Sequence, residues 1–187
     1  MKLYLIRHGE SETNAEGQWT GWYDVSLTEK GFEDAKRARP FLEGISFDKI
    51  YSSDLKRAYQ TAQTAIPGCE PEKTVLLREI NVGSLAGTSL FATPKVTPPL
   101  SVQGYRAFGG ESREDLANRL LRFLSMLEQE NYQTVAAFAH AGCLRTLFDE
   151  LSGGTIPRSA MLCRNCCIAV FEYNGGKWSL HSWINTQ

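Results

Sequence analysis

Two of the chain's three histidines stand where an apolar run gives way to small polar residues. Leu3-Tyr4-Leu5-Ile6 passes into Arg7-His8-Gly9-Glu10, and Thr134-Val135-Ala136-Ala137-Phe138-Ala139 passes into His140-Ala141-Gly142. An imidazole beside an arginine at such a junction is well placed to meet a phosphate. The guanidinium offers a planar fork of donors matched to phosphate oxygens, and a glycine lets backbone approach a ligand with no Cβ in the way. Asn14 can donate an amide hydrogen from the same loop, and a third polar junction, Ser52-Ser53-Asp54, leads to a second arginine, Arg57. Read alone, Arg7-His8-Gly9 fits equally a strand-end turn in which His8 caps a backbone carbonyl, so the rest of the chain must decide. His181 lies inside the last strand pattern and is read as structural.

The elements that must position these residues alternate along the chain. The first strand is followed by an aromatic, glycine-rich loop, Gln18 to Leu27, folded over the neighbourhood of His8. Thr28 caps a helix through Phe32, Ala35, Ala38 and Arg39 that Pro40 kinks or ends. A short strand, Phe47 to Tyr51, closes on Ser52-Ser53-Asp54, whose side chains can cap the next helix, where Leu55, Ala58, Ala62 and Ile66 repeat at helical spacing. Val75-Leu76-Leu77 is a brief extended stretch. From Thr88 to Gly110 no period survives, and that segment is read as a flap or specificity loop. Ser112 and Asp115 form a capping box for an amphipathic helix reaching about Glu130. After the strand Thr134–Ala139 a helix runs to Gly153-Gly154, and Ile168–Tyr173 and Trp178–Ile184 make a final strand pair. Strands alternating with helices predict an α/β fold, a three-layer sandwich with a central, mostly parallel sheet flanked by helices. In such a sheet ligands bind beyond the carboxyl ends of strands, where Arg7-His8, Ser52 to Arg57 and His140 all fall. The helix after His140 would turn free N–H groups towards an anion there.

At 187 residues and 42% hydrophobic content the chain is expected to form a single domain, residues 1–187. Twenty Lys and Arg against twenty-one Asp and Glu leave no charge bias towards nucleic acid or an anionic membrane surface. No run approaches the roughly 18 apolar residues of a membrane span, so no membrane partner and a cytoplasmic location are expected. The five cysteines cannot all pair internally. Cys163, Cys166 and Cys167 form one cluster, and free thiols are expected there rather than a metal site, which usually draws on two such clusters.

The sequence resembles the histidine phosphatases, also called the phosphoglycerate mutase-like superfamily. Arg7-His8-Gly9-Glu10 matches the family's signature, Ser52 to Ala58 with Gln60-Thr61-Ala62 its second motif, and Ala139-His140-Ala141-Gly142 with Arg145 its third. Thr20 to Gly31 is similar to the family's loop before the first helix. The resemblance implies that His8 is the nucleophile, forming a phosphohistidine that water cleaves. It also implies that Arg7, Arg57 and His140 hold the phosphoryl oxygens. Asn14, the Thr20-Gly21 backbone and Ala141 would complete the substrate pocket. Glu79 falls where the family's mutases carry their general acid, with Arg78 beside it as a complication; the bland alternative pairs Glu79 with Arg78 or Arg57. The scheme needs no metal and no cofactor.

Departures from the family pattern sharpen the expectation. Family mutases carry a tyrosine and a lysine where this chain shows Val82 and Leu90, and an adjacent-arginine motif that does not occur here. The chain is more similar to the family's small phosphatases. It is therefore expected to hydrolyse a small-molecule phosphomonoester, with phosphoglycerate mutase as the closest alternative and a catalytically silent phosphate binder as a third reading. Trp19, Trp22, Phe91, Tyr105 and Phe108 would either shelter an apolar leaving group or simply pack their loops, and Lys95 and Arg106 would touch a second charge or only water. A sheet-edge homodimer stays open.

Overall fold

The computed structural model describes residues 1–91, 104–153 and 161–187. Six strands, β1 (Lys2–Arg7), β2 (Lys49–Ser53), β3 (Glu72–Thr74), β4 (Thr134–Ala139), β5 (Ile168–Asn174) and β6 (Lys177–Ile184), form one sheet in the order β3-β2-β4-β1-β5-β6. β1, β2, β3 and β4 run parallel, while β5 is antiparallel to both its neighbours. β1 and β4 sit at the centre and are covered on both faces, which is why they read as continuous apolar runs rather than alternating ones.

Helices cover the two faces. On one, Leu116, Leu120, Phe123 and Leu124 of α4 (Arg113–Glu128) and Leu144 and Leu147 of α5 (Ala141–Ser152) pack on Leu3, Leu5, Val135 and Ala137. On the other, Ala62 and Ala65 of α3 (Lys56–Ala65) meet Ile6, Ala136 and Phe138, and α2 (Glu29–Ala38) packs on α3. Successive residues of β1 and β4 thus serve opposite layers, as the period of two in a strand requires. This is the expected α/β sandwich with a mostly parallel sheet. A single helical turn, α1 (Glu12–Ala15), follows the first strand. Among the described residues no helix is long and apolar enough to cross a membrane.

Local expectations met mixed outcomes. Thr28 accepts the Gly31 N–H as the cap of α2, which gives way to a 3-10 turn, Arg39–Phe41, at Pro40. Ser112 and Asp115 form the capping box of α4. The second strand lies two residues later than its apolar residues suggested. Ser52 and Ser53 are fully buried inside it because their hydroxyls bond locally, Ser52 to the Ser53 carbonyl and Ser53 to the Leu55 N–H. Those side chains do not cap α3; the Lys56 N–H is taken instead by Asp24 Oδ1, 2.7 Å away and distant in sequence. Val75–Leu77 is a 3-10 turn rather than an extended stretch, because Thr74 Oγ1 accepts the Leu76 N–H and bends the chain after β3. Of the aperiodic segment 88–110, residues 92–103 lie outside the described residues, as does Lys95. Residues Arg106–Phe108 form a 3-10 turn.

Candidate active site

Parallel pairing of β1 with β4 puts Arg7 opposite Ala139, so the next residue of each strand, His8 and His140, leaves the sheet at the same level. The His8 N–H donates to the Ala139 carbonyl at 3.0 Å, and the two imidazole centroids stand 5.1 Å apart. His8 Nδ1 lies 2.6 Å from the Gly9 carbonyl oxygen. A carbonyl can only accept, so Nδ1 carries the hydrogen and Nε2 keeps its lone pair. Burial, then the charges of Arg57 and Arg7, hold the His8 pKa well below its usual value, against the opposing bond to Gly9. The sequence's two readings of His8, a carbonyl-bonded turn histidine and a histidine beside cations, are therefore both present in one side chain.

His140 is completely buried, and neither ring nitrogen has a partner among the described residues. Burial first, then Arg57, His8, Arg119 and Arg7, push its pKa well down. Arg57 is also fully buried, at the start of α3. Its guanidinium donates to the Gly21 carbonyl at 2.8 Å and the Tyr23 carbonyl at 2.9 Å, while Nε is left without a partner. Burial lowers its pKa to about 10, opposed by Glu79 and Asp24, so it stays a cation at neutral pH. Arg7 donates from Nη1 to the Cys163 carbonyl at 2.5 Å, and its Nε also lacks a partner. The loop between β1 and α2 is thus pinned from beneath by Arg57. Gly21, at φ +49°, is required there, since a Cβ would collide with Val82.

Glu79 comes to this corner from the segment after β3. Its Oε2 accepts the Gly142 N–H at 3.1 Å and its Oε1 the Ile80 N–H at 2.8 Å. Neither Arg78 nor Arg57 pairs with it. Arg78 is held by Asp54 through Nε at 2.8 Å and Nη2 at 2.5 Å, and lies over the Trp22 ring. The Glu79 carbonyl accepts from Trp22 Nε1 and from Arg119.

A cleft of about 370 Å³ opens here, and Arg7, Asn14, Thr20, Gly21, Glu79, Ala141 and Gly142 are among its lining residues. His8, Arg57 and His140 are not among its lining residues; they are buried next to residues that are. Asn14 Oδ1 accepts from Ser11 N–H, and Thr20 Oγ1 contacts Thr13 Oγ1 at 2.6 Å. Trp19 and Tyr105 also line it, their rings edge to face at 5.7 Å. Trp22, Phe91 and Phe108 do not line it: Trp22 is turned to the Glu79 carbonyl, and Phe91 is 88% exposed. Arg106 does not reach the cleft either, being paired with Asp115 on the surface.

A model of the histidine phosphatase superfamily, branch 1, matches residues 3–186. The chain belongs to that family. Phosphoglycerate mutase-like protein 4 of Arabidopsis thaliana is 28% identical over 199 aligned positions, covering 97% of this chain and 84% of the relative. Among solved structures, a phosphoserine phosphatase mutant from Entamoeba histolytica in complex with phosphoserine superposes with a TM-score of 0.83 at 27% identity, covering 100% of this chain and 98% of that one. A candidate alpha-ribazole-5'-P phosphatase from Escherichia coli gives 0.81 at 26%, covering 100% and 97%.

Around the cleft of this histidine phosphatase superfamily member lie further residues that sequence reasoning left without a role. Arg145 and Arg113 line the cleft. Arg145 could have been found from its spacing, one helical turn beyond Ala141 on the same face of α5. Arg113 is the first residue of α4, but nothing in the capping box says which way that helix points. Arg119 left no signal at all. It sits in the apolar pattern of α4 and is 8% exposed. It donates to Glu111 and to the carbonyls of Leu76, Arg78 and Glu79.

Proposed function

We propose that this protein is a metal-independent phosphomonoester hydrolase that acts through a phosphohistidine on a small-molecule phosphate ester, with residues 1–187 as one functional unit. The observation that carries the reading is the 2.6 Å bond from His8 Nδ1 to the Gly9 carbonyl, which leaves an unprotonated Nε2 beside two arginines. In the first step Nε2 attacks phosphorus and the ester P–O bond breaks. A proton passes to the leaving oxygen, with Glu79 as its proposed donor. In the second step water attacks phosphorus, Glu79 takes a proton from that water, and the N–P bond breaks to release phosphate and restore His8.

Arg7, Arg57 and His140 would meet the phosphoryl oxygens. The unpartnered Nε atoms of both arginines and the unpartnered ring N–H of His140 support this role, because buried donors of this kind are costly unless a ligand satisfies them. Asn14, Thr20, Gly21 and Ala141 would complete the pocket from the cleft wall. Likeness to a phosphoserine phosphatase favours hydrolysis, and likeness to a phosphoglycerate mutase-like protein keeps mutase as the alternative.

Release of inorganic phosphate from phosphoserine, alpha-ribazole 5'-phosphate and 3-phosphoglycerate, in EDTA, tests the reading. Release by the wild type that disappears in His8→Ala supports it. Interconversion of phosphoglycerates without net release would replace it with mutase, and release abolished by EDTA would remove the metal-independent step.

A further inference from the structure

The turn Cys163 to Cys167 lies directly against the residues proposed to do the chemistry. The Cys163 carbonyl accepts Arg7 Nη1 at 2.5 Å, and Asn165 Nδ2 donates to the His8 carbonyl at 3.1 Å. The Cys166 N–H donates to that same carbonyl at 3.3 Å, and the Arg7 N–H donates to the Cys167 carbonyl at 3.0 Å. The turn is tight. Cys167 N–H bonds back to the Arg164 carbonyl at 3.1 Å, and Cys166 takes φ +57°, a region that few residues other than glycine occupy. That bend brings Cys163 Sγ to 3.3 Å from Cys167 Sγ, while the Cys166 side chain packs away from them on Ala35 and Ala38. Cys69 and Cys143 each bond to backbone carbonyls elsewhere.

We propose that Cys163 and Cys167 are a modification site, forming a reversible disulfide with oxidants of the peroxide class and thereby weakening the turn's hold on Arg7 and His8. The Cys163 thiol is drawn below its usual value by the hydrogen bond from Cys167, then by Arg7 and Arg145, against the effect of burial. Thiolate is the reactive form. Cys163 is 5% exposed and does not itself line the cleft, but Arg7, which bonds its carbonyl, does. Cys163 sulfur attacks one peroxide oxygen, the O–O bond breaks, and the departing hydroxide is protonated to water, leaving a sulfenic acid. Cys167 sulfur then attacks that sulfur, and the S–O bond breaks. The leaving hydroxide takes the Cys167 proton as a second water. Two thiols are oxidised by two electrons and one hydrogen peroxide is reduced to two waters.

Coupling to the site follows from the geometry. A disulfide holds its sulfurs at about 2.05 Å, so the pair must close by roughly 1.2 Å from its present 3.3 Å. The turn that must give is the one bonded to Arg7 and His8.

The covalent part of this inference stands independently of the proposed hydrolase activity; only its rate readout rests on that activity. The full chain is treated with a small molar excess of hydrogen peroxide, alkylated, and analysed by intact mass and peptide mapping. Hydrolysis rate and inorganic-phosphate affinity are then measured before and after dithiothreitol. The expected result is loss of two hydrogens, a Cys163–Cys167 linked peptide, and a rate lowered about tenfold to a hundredfold, as displacement of a positioning group by an ångström produces. Dithiothreitol should restore it, and Cys163→Ser and Cys167→Ser should each keep their own rate through the peroxide step. Five alkylated thiols after treatment, or a link between other cysteines, would overturn the site. Linked protein with unchanged rate and unchanged phosphate affinity would overturn the coupling. Phosphate affinity still reports the coupling if the chain hydrolyses no ester in the panel.

Discussion

Gly142 and Glu79 fit each other so closely that a Cβ on residue 142 would run into the glutamate's Oε1. The Gly142 N–H meanwhile holds Oε2 at 3.1 Å, so the first turn of α5 fixes the proposed acid by both contact and hydrogen bond. Gly142→Ala should push the carboxyl aside and lower hydrolysis of an ester with a poor leaving group by about tenfold to a hundredfold. An activated aryl ester, which needs little proton donation, should lose less. The melting temperature should fall only modestly, since the group that must yield is the end of a flexible side chain. Equal losses on both esters would show that Gly142 does something other than seat Glu79.

The two buried histidines should shape stability against pH. Both fold with pKa values well below the usual 6.5, so the unfolded chain binds protons that the folded chain refuses. Their stabilising contribution is complete above the unfolded value and is lost as pH falls below it, at about 1.4 kcal/mol per pH unit for each. Urea unfolding at pH 7, 6 and 5 should therefore show stability decreasing with acid, and His140→Asn should roughly halve the slope. A flat profile across that window would contradict the burial of uncharged imidazoles.

Arg119 should act as a positioning residue for Glu79. It pairs with Glu111 at 2.9 Å and reaches the backbone on both sides of Glu79. Arg119→Met would leave Glu111 and several carbonyls unsatisfied at a largely buried place, costing about 3–5 kcal/mol in urea unfolding. Arg119→Lys should recover only part of this, because one ammonium cannot reproduce a planar fork. Arg119→Lys should also lower kcat on the poor-leaving-group ester more than on the activated one, which a purely structural role would not do.

Asp24 should be worth a helix cap although it is no neighbour of α3 in sequence. Asp24→Ala removes the acceptor of the Lys56 N–H and should cost about 1 kcal/mol, with Asp24→Asn losing much less. Equal stability of the alanine variant and wild type would mean that water replaces the carboxylate without loss.

The sequence alone determined the layers and the chemistry-bearing junctions. Continuous apolar runs marked β1 and β4 as strands buried on both faces, and helical spacing marked α3, α4 and α5, because these periods follow from backbone geometry and do not depend on partners. The positions of His8 and His140 just beyond strand ends were equally legible. Strand β2 was misjudged because buried serines satisfied by local bonds look polar to a pattern that equates buried with apolar. Tertiary structure alone decided the level at which the two imidazoles meet, since that depends on the register of β1 against β4. It alone drew Arg78 to Asp54, brought Arg119 under Glu79 and seated Glu79 on Gly142. Each of these contacts joins segments far apart in the chain, and a one-dimensional pattern records how a residue relates to its own element, not which distant side chain shares its burial.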